Sequence, residues 1–214
     1  TIGQLLLAKQ SDDHASTLRN IKAVWISHPH ADHHLGILRL LADRRKWTNE
    51  PLVLVAPNNL QLFLSEYAVL DPEIASTYSF VNAREVSTRA DLSARRQQVV
   101  SILDQLKLEL GITSSTAVPV THCSYSFAVV YNSASFGSLA YSGDCRPSHT
   151  FAKVAFGADI LIHESTFADG LEAEAALKRH STVGEAVQIA QRMGARTLLL
   201  THFSQRYPKV PPLP

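Results

Sequence analysis

Apolar positions change texture along this chain. In the first half, short apolar runs alternate with stretches whose apolar residues fall three and four apart. Ile21 to Ser27 reads as a buried strand, and Leu35, Leu38 and Leu41 follow it at helical spacing. That helix ends in Arg44-Arg45-Lys46, cations suited to a helix C-terminus. Leu52-Val53-Leu54-Val55 reads as a second strand, closed by Pro57. Asn58 or Asn59 then caps a helix with Leu60, Phe63, Leu64 and Tyr67 on one face. Tyr78 to Val81 reads as a third strand, residues 4–8 as a short helix, and Ser11-Asp12-Asp13-His14 as a polar loop. Residues 91–110 predict one amphipathic helix, with Val99, Ile102, Leu103, Leu106 and Leu110 inward and Gly111 at its end.

From residue 116 the texture is β. Ala117 to Thr121, Phe127 to Tyr131 and Ser138 to Ser142 alternate or run apolar, with a hairpin loop at Asn132 to Gly137. Ile160-Leu161-Ile162 is another buried strand and Thr197-Leu198-Leu199-Leu200 a last one. Between them, Thr182-Val183-Gly184-Glu185 has the spacing of a capping box and opens a helix that Gly194 closes. Strands separated by helices, with no repeat or long linker, predict an α/β class.

The strand-to-helix junction after Ile26 is dense in metal-binding chemistry. His28-Pro29-His30-Ala31-Asp32-His33 packs four potential ligands into six positions, directly after a buried strand. Neutral imidazole suits zinc, and a carboxylate suits a second position. The competing reading is a His-rich solvated turn. Three more candidates, His122, Asp144 after Gly143, and His202, also follow strands. Singly, each is more often a capped turn or a satisfied histidine. Together with the first loop they make seven ligands, enough for two ions if one carboxylate bridges them. His34 reads as a neighbour of the ligands or as surface, and His14 and His149 have no assignable role.

Totals narrow the classes. A chain of 214 residues suffices for one domain with a sizeable core. Net charge is +1, so an argument for nucleic acid must come from local clusters. Two cysteines are too few for a disulfide framework; Cys123 and Cys145 are expected as buried packing in a reducing, intracellular setting. No apolar run reaches membrane-spanning length and no signal peptide opens the chain, so no membrane partner is expected. The first residue is threonine, as in a processed chain or a piece of a longer one.

The order His-x-His-x-Asp-His, lone His, Gly-Asp, late His resembles the metallo-β-lactamase superfamily. His163-Glu164-Ser165-Thr166 and His180-Ser181-Thr182 further resemble the His-Glu-Ala-Thr and His-Ser-Thr motifs of the tRNase Z family. The segments Ser142-Gly143-Asp144, Asp169-Gly170-Leu171 and His202-Phe203-Ser204-Gln205-Arg206-Tyr207 resemble the catalytic half of its long, eukaryotic form. Ser165 and Cys145 depart mildly from the family's alanine and threonine, and no Pro-x-Lys-x-Arg-Asn string occurs.

The resemblance implies a fold of two mixed β-sheets sandwiched between helices (αββα). Residues 1–214 would form a single catalytic domain, a fragment incomplete at both ends. It implies two zinc ions, one on His28, His30, His122 and Asp144, the other on Asp32, His33, Asp144 and His202. It implies removal of the 3′ trailer from precursor tRNA by hydroxide attack on phosphorus, leaving a 3′-OH. Asp32 would orient the nucleophile, and His180, held by Glu164, would protonate the leaving oxygen. Implied partners are precursor tRNA and the N-terminal half of the same long-form protein, and the implied location is nucleus or mitochondrion. Lys178, Arg179, Arg206 and Lys209 are weaker candidates for phosphate contact, since cation pairs are more often solvated surface. Two alternatives stay open: another dinuclear hydrolase, such as a thioester hydrolase, and a non-catalytic RNA-binding scaffold.

Overall fold

A computed structural model describes residues 14–86 and 94–204, with side chains described for 15–86 and 100–204. The predicted helix at residues 4–8, most of the polar loop before His14, the side chain of Val99, and Arg206 and Lys209 lie outside these. The described residues form two compact units, one of residues 14–85 with 94–106, the other of residue 86 with 107–204.

The first unit is built on parallel βαβ connections. Strands β1 (Ala23–Trp25), β2 (Leu52–Ala56) and β3 (Tyr78–Asn82) form a three-stranded sheet in that order. Both pairings among the described residues are parallel. Parallel neighbours need crossover helices, and these are α2 (Ala31–His34) with α3 (Gly36–Arg44), then α4 (Asn58–Tyr67). A helix α1 (His14–Asn20), which no pattern announced, precedes β1. Leu52, Leu54 and Ala56 alternate onto one face of β2 and meet Ile37 and Leu41 of α3 and Leu60 and Leu64 of α4. The i, i+4 spacing places each helix pair on one stripe. Pro57, not either asparagine, occupies the N-cap of α4, and no side chain caps it. Proline's fixed extended backbone there starts the helix without an Asn bond.

Charge at the end of α3 is spent on pairing. Arg44 is buried and donates to the Glu50 carbonyl. Arg45 grips both oxygens of Asp71 at 2.9 and 2.8 Å, and Lys46 reaches Asp43 at 2.8 Å. Helix α5 (Ala94–Leu110) ends at Gly111, whose φ of +64° is the left-handed closure expected of glycine. Leu106 is buried as predicted, but Leu110 is exposed: it stands in the last turn, where the helix gives way to β4.

The second unit holds a mixed five-stranded sheet: β4 (Ile112–Pro119), β5 (Phe127–Ser133), β6 (Gly137–Tyr141), β7 (Ile160–Glu164) and β8 (Thr197–Thr201), in that order. β4–β5–β6 is an antiparallel meander, and β6–β7–β8 are parallel. Helices α6 (His149–Val154) and α8 (Val183–Met193) cover one face. Phe151, Ile189 and Met193 there bury against Val118, Val130, Ala140 and Leu161. The capping box opens α8 as predicted: Thr182 Oγ1 accepts from Glu185 N, and the Glu185 carboxylate accepts from Thr182 N. Gly194 closes it at φ +65°. A short helix α7 (Glu172–Lys178) and α6 carry too few apolar positions to show a period in the sequence. In the β5–β6 hairpin, a Cβ on Gly137 would stand 2.2 Å from Asp159 Oδ2, the atom that accepts from Ser138 N at 2.9 Å. Glycine lets that carboxylate pin the turn. No helix among the described residues is long and apolar enough to cross a membrane.

Candidate metal centre

In the first unit the ligand loop leaves β1 at the C-terminal edge of the parallel sheet. Ile26 N donates to Val55 O at 2.9 Å, so pairing continues one residue beyond β1 and fixes the loop's base. Ser27 and His28 are buried there, and Ser27 Oγ lies 3.0 Å from His28 Nδ1. His28 Nε2 faces His30 Nδ1 at 3.1 Å. Two imidazole nitrogens so close need a proton or a cation to separate their lone pairs. The His28 and His33 rings lie 4.2 Å apart between centroids, and Asp32 Oδ2 is 3.5 Å from His33 Nε2. The helical turn of α2 thus gathers His28, His30, Asp32 and His33. His34 turns to Phe63, centroid to centroid 5.2 Å, and burial pushes its imidazole below the usual range.

In the second unit, topology gathers residues far apart in sequence. β4 is antiparallel to β5, and β5 to β6, so β4 runs the same way as β6, β7 and β8. The C-terminal ends of these four strands therefore lie along one sheet edge. They deliver His122, Asp144, Glu164 and His202 in turn. Gly143, at φ +59°, makes the turn into Asp144. His202 itself sits at φ +60°, an uncommon conformation for a non-glycine residue. Asp144 is buried, and its Oδ2 lies 3.2 Å from His202 Nε2 and 3.8 Å from His122 Nε2. Asp144, His180 and His202 each offer a donor atom within 4.8 Å of the others.

Each histidine's second nitrogen is occupied. His122 Nδ1 is 3.0 Å from Arg179 O, and His202 Nδ1 is 2.7 Å from Thr166 Oγ1. An imidazole that donates from Nδ1 leaves Nε2 bare for a metal. Arg179 is left-handed, φ +60°, as the C-cap of α7, and its guanidinium donates to His122 O at 2.9 Å. Lys178 ends exposed in the last turn of α7.

Glu164 is the hub of the neighbouring pair. Its carboxylate is fully buried and accepts five hydrogen bonds. Oε1 takes Cys145 N at 2.7 Å and His180 Nδ1 at 2.8 Å; Oε2 takes Thr166 Oγ1 at 2.6 Å, Thr166 N at 3.2 Å and Ser181 N at 3.1 Å. His180 stacks on His202 at 5.4 Å and tilts over His122 at 4.6 Å. Arg146 pairs both guanidinium arms with Glu185 and donates to His180 O, tying the His180 backbone to the α8 capping box. Sequence reasoning passed over Arg146, Thr166 as a contact, and the Arg179 carbonyl. The capping-box spacing had marked Glu185, but nothing in the pattern names its cationic partner.

Both cysteines are free thiols in loops. Cys145 is buried, and burial, then the Glu164 and Asp144 carboxylates, push its thiol well above the usual range. Cys123 is only half-buried, not packed inward as expected, because the turn to Ser126 holds it near the surface.

Comparison with known proteins agrees with this geometry. The pattern describing the beta-lactamase superfamily domain matches residues 2–203. Ribonuclease Z 1 of Schizosaccharomyces pombe is 36% identical over 214 residues, covering 99% of this chain and 26% of that protein. The Drosophila melanogaster protein named Ribonuclease Z, mitochondrial, is 36% identical over 221 residues, covering 100% of this chain and 27% of that one. The crystal structure of a long form RNase Z from yeast superposes with a TM-score of 0.83 at 28% identity, over 94% of this chain and 31% of that one. The chain thus spans about a quarter of the length of the relatives it matches.

Proposed function

The chain belongs to the metallo-β-lactamase superfamily and is homologous to long-form tRNase Z proteins, and from that premise we propose that it carries the catalytic chemistry of a tRNA 3′-end endoribonuclease. The observation that carries the reading is the buried Glu164–His180 pair, 2.8 Å apart, beside Asp144 and His202. Metal ligation alone is common to hydrolases of many substrates; an acid held against the ligands suits a poor leaving group such as a ribose 3′ oxygen.

The donor set fits zinc. Nitrogen and carboxylate donors converge, and both His122 and His202 have Nδ1 occupied so that Nε2 is available. On this reading His28, His30, His122 and Asp144 would hold one ion, and Asp32, His33, Asp144 and His202 a second. When bound, such ions supply Lewis acidity and lower the pKa of water. Asp32 orients the attacking water. Glu164 accepts from His180 Nδ1, which turns Nε2 outward to donate a proton to the leaving oxygen. The buried carboxylate stabilises the imidazolium until that transfer. Precursor tRNA is the substrate, the remaining part of a longer chain is the partner, and the compartment is nucleus or mitochondrion, the latter as in the Drosophila relative's name.

The test uses the intact protein and precursor tRNA. Cleavage leaving a 3′-OH on the tRNA should stop with chelator and return with zinc, with about two ions per chain by elemental analysis. His180→Ala should slow cleavage by roughly 10²–10⁴-fold with zinc content unchanged. Chelator-resistant cleavage, at most one ion after zinc loading, or metal loss in His180→Ala would overturn the assignment.

A further inference from the structure

We propose that Thr166 is a positioning residue whose hydroxyl sets which nitrogen of His202 carries the proton and ties that ligand to the Glu164–His180 pair. The Thr166 side chain is buried, and its Oγ1 has three neighbours: Glu164 Oε2 at 2.6 Å, His202 Nδ1 at 2.7 Å and His180 Nδ1 at 3.2 Å. A threonine hydroxyl has one proton and two lone pairs. A carboxylate can only accept, and the 2.6 Å contact is short enough for a charge-assisted bond, so the proton goes to Glu164. The hydroxyl oxygen must then accept from His202, which fixes the proton on His202 Nδ1. His202 Nε2 is left bare, 3.2 Å from Asp144 Oδ2. Two lone pairs so placed repel each other unless a cation joins them.

The same hydroxyl completes Glu164. Thr166 supplies two of the five donors, its own N–H and its O–H. His180 has Glu164 Oε1 as its nearer partner, at 2.8 Å. One chain of hydrogen bonds therefore runs from His202 through Thr166 and Glu164 to His180, and each group's orientation depends on the next. A methyl in place of the hydroxyl breaks it at two points: it orphans the His202 Nδ1–H and removes a donor from Glu164. Freed of that constraint, His202 loses the preference for a bare Nε2.

This inference rests on the reading of Asp144 and His202 as metal ligands, and the experiment separates the two. In the intact protein, Thr166→Val keeps the shape and removes the hydroxyl, whereas Thr166→Ser keeps the hydroxyl and removes the methyl. Zinc affinity, read by competition with a chromophoric chelator, should fall about 10–100-fold in Thr166→Val, the usual cost of losing an outer partner of a ligating histidine. Thr166→Ser should restore most of it. At saturating zinc, Thr166→Val should lower kcat on precursor tRNA and leave KM near wild type. If Thr166→Val does not fold, Thr166→Ala against Thr166→Ser gives the same comparison. Wild-type zinc affinity in the variants without a hydroxyl, or a serine variant as weak as valine, overturns the proposal. A wild-type protein that binds no zinc overturns the metal reading beneath it.

Discussion

Replacing Glu164 with glutamine tests how the site is held together, independently of catalysis. The substitution is nearly isosteric, yet five donors converge on the carboxylate and an amide has only one accepting oxygen. With the NH₂ at the Oε2 position, it faces two backbone N–H groups, of Thr166 and Ser181, and the Thr166 hydroxyl. With the NH₂ at the Oε1 position, it faces His180 Nδ1 and Cys145 N. His180 escapes by moving its proton to Nε2 and accepting; Cys145 N cannot. The second arrangement is therefore cheaper and leaves one buried amide unpaired, at about 1–3 kcal/mol. Three remaining bonds fall from charge-assisted to neutral, each weaker by roughly 1 kcal/mol. The expected loss is about 4–6 kcal/mol, much of a typical domain's margin of roughly 5–15 kcal/mol. Denaturant titration of the zinc-loaded intact protein, followed by fluorescence, reads it directly. A variant that unfolds within about 0.5 kcal/mol of wild type would refute the donor count as the reason for the burial of Glu164.

Two further outcomes follow from groups the reaction does not consume. Arg179→Ala should weaken zinc binding through the lost bond to His122 O and leave the salt slope of RNA affinity unchanged; a slope reduced by about one would mean the guanidinium meets a phosphate instead. Burial pushes the His163 imidazole below its usual value of 6.5, so the neutral form belongs to the fold. Its stabilisation is full above 6.5 and is lost as pH falls through the lowered value; denaturant midpoints taken from pH 7.5 down to pH 5 should therefore drop more in wild type than in His163→Gln, and equal drops would contradict this.

The sequence made legible whatever local periodicity encodes. Leu60 and Leu64 gave the face of α4, and Thr182 with Glu185 gave the start of α8, because each signal lies within a single turn. The seven candidate ligands stood out because their loops follow apolar runs. What stayed hidden is long-range. The parallel pairing of β2 with both β1 and β3 leaves no local mark in the sequence. Arg146 reads as an ordinary cation until the fold brings it to Glu185, 39 positions later. Arg179 invited a phosphate because its sequence neighbours, Lys178 and His180, are polar. The left-handed turn at its own Cα aims carbonyl and guanidinium at His122 instead.

The disposition of cations bears on how the proposed reaction is divided. Arg45 is committed to Asp71, Lys46 to Asp43, Arg146 to Glu185 and Arg179 to the His122 carbonyl. Among the described residues these four cations are thus spent on internal carboxylates and a carbonyl, in a chain whose net charge is only +1. Affinity for RNA at physiological salt rises with the number of phosphates neutralised by free lysine and arginine. On the proposed function, these paired cations add little to the grip on RNA, which falls to other cations. Those arginines contribute in another way: a guanidinium that orients His122, or the backbone of His180, holds the reacting groups to the tolerance that proton transfer demands. Raising salt should accordingly weaken KM far more than kcat, because the ion pairs that position the site are sheltered and the contacts that capture the substrate are not.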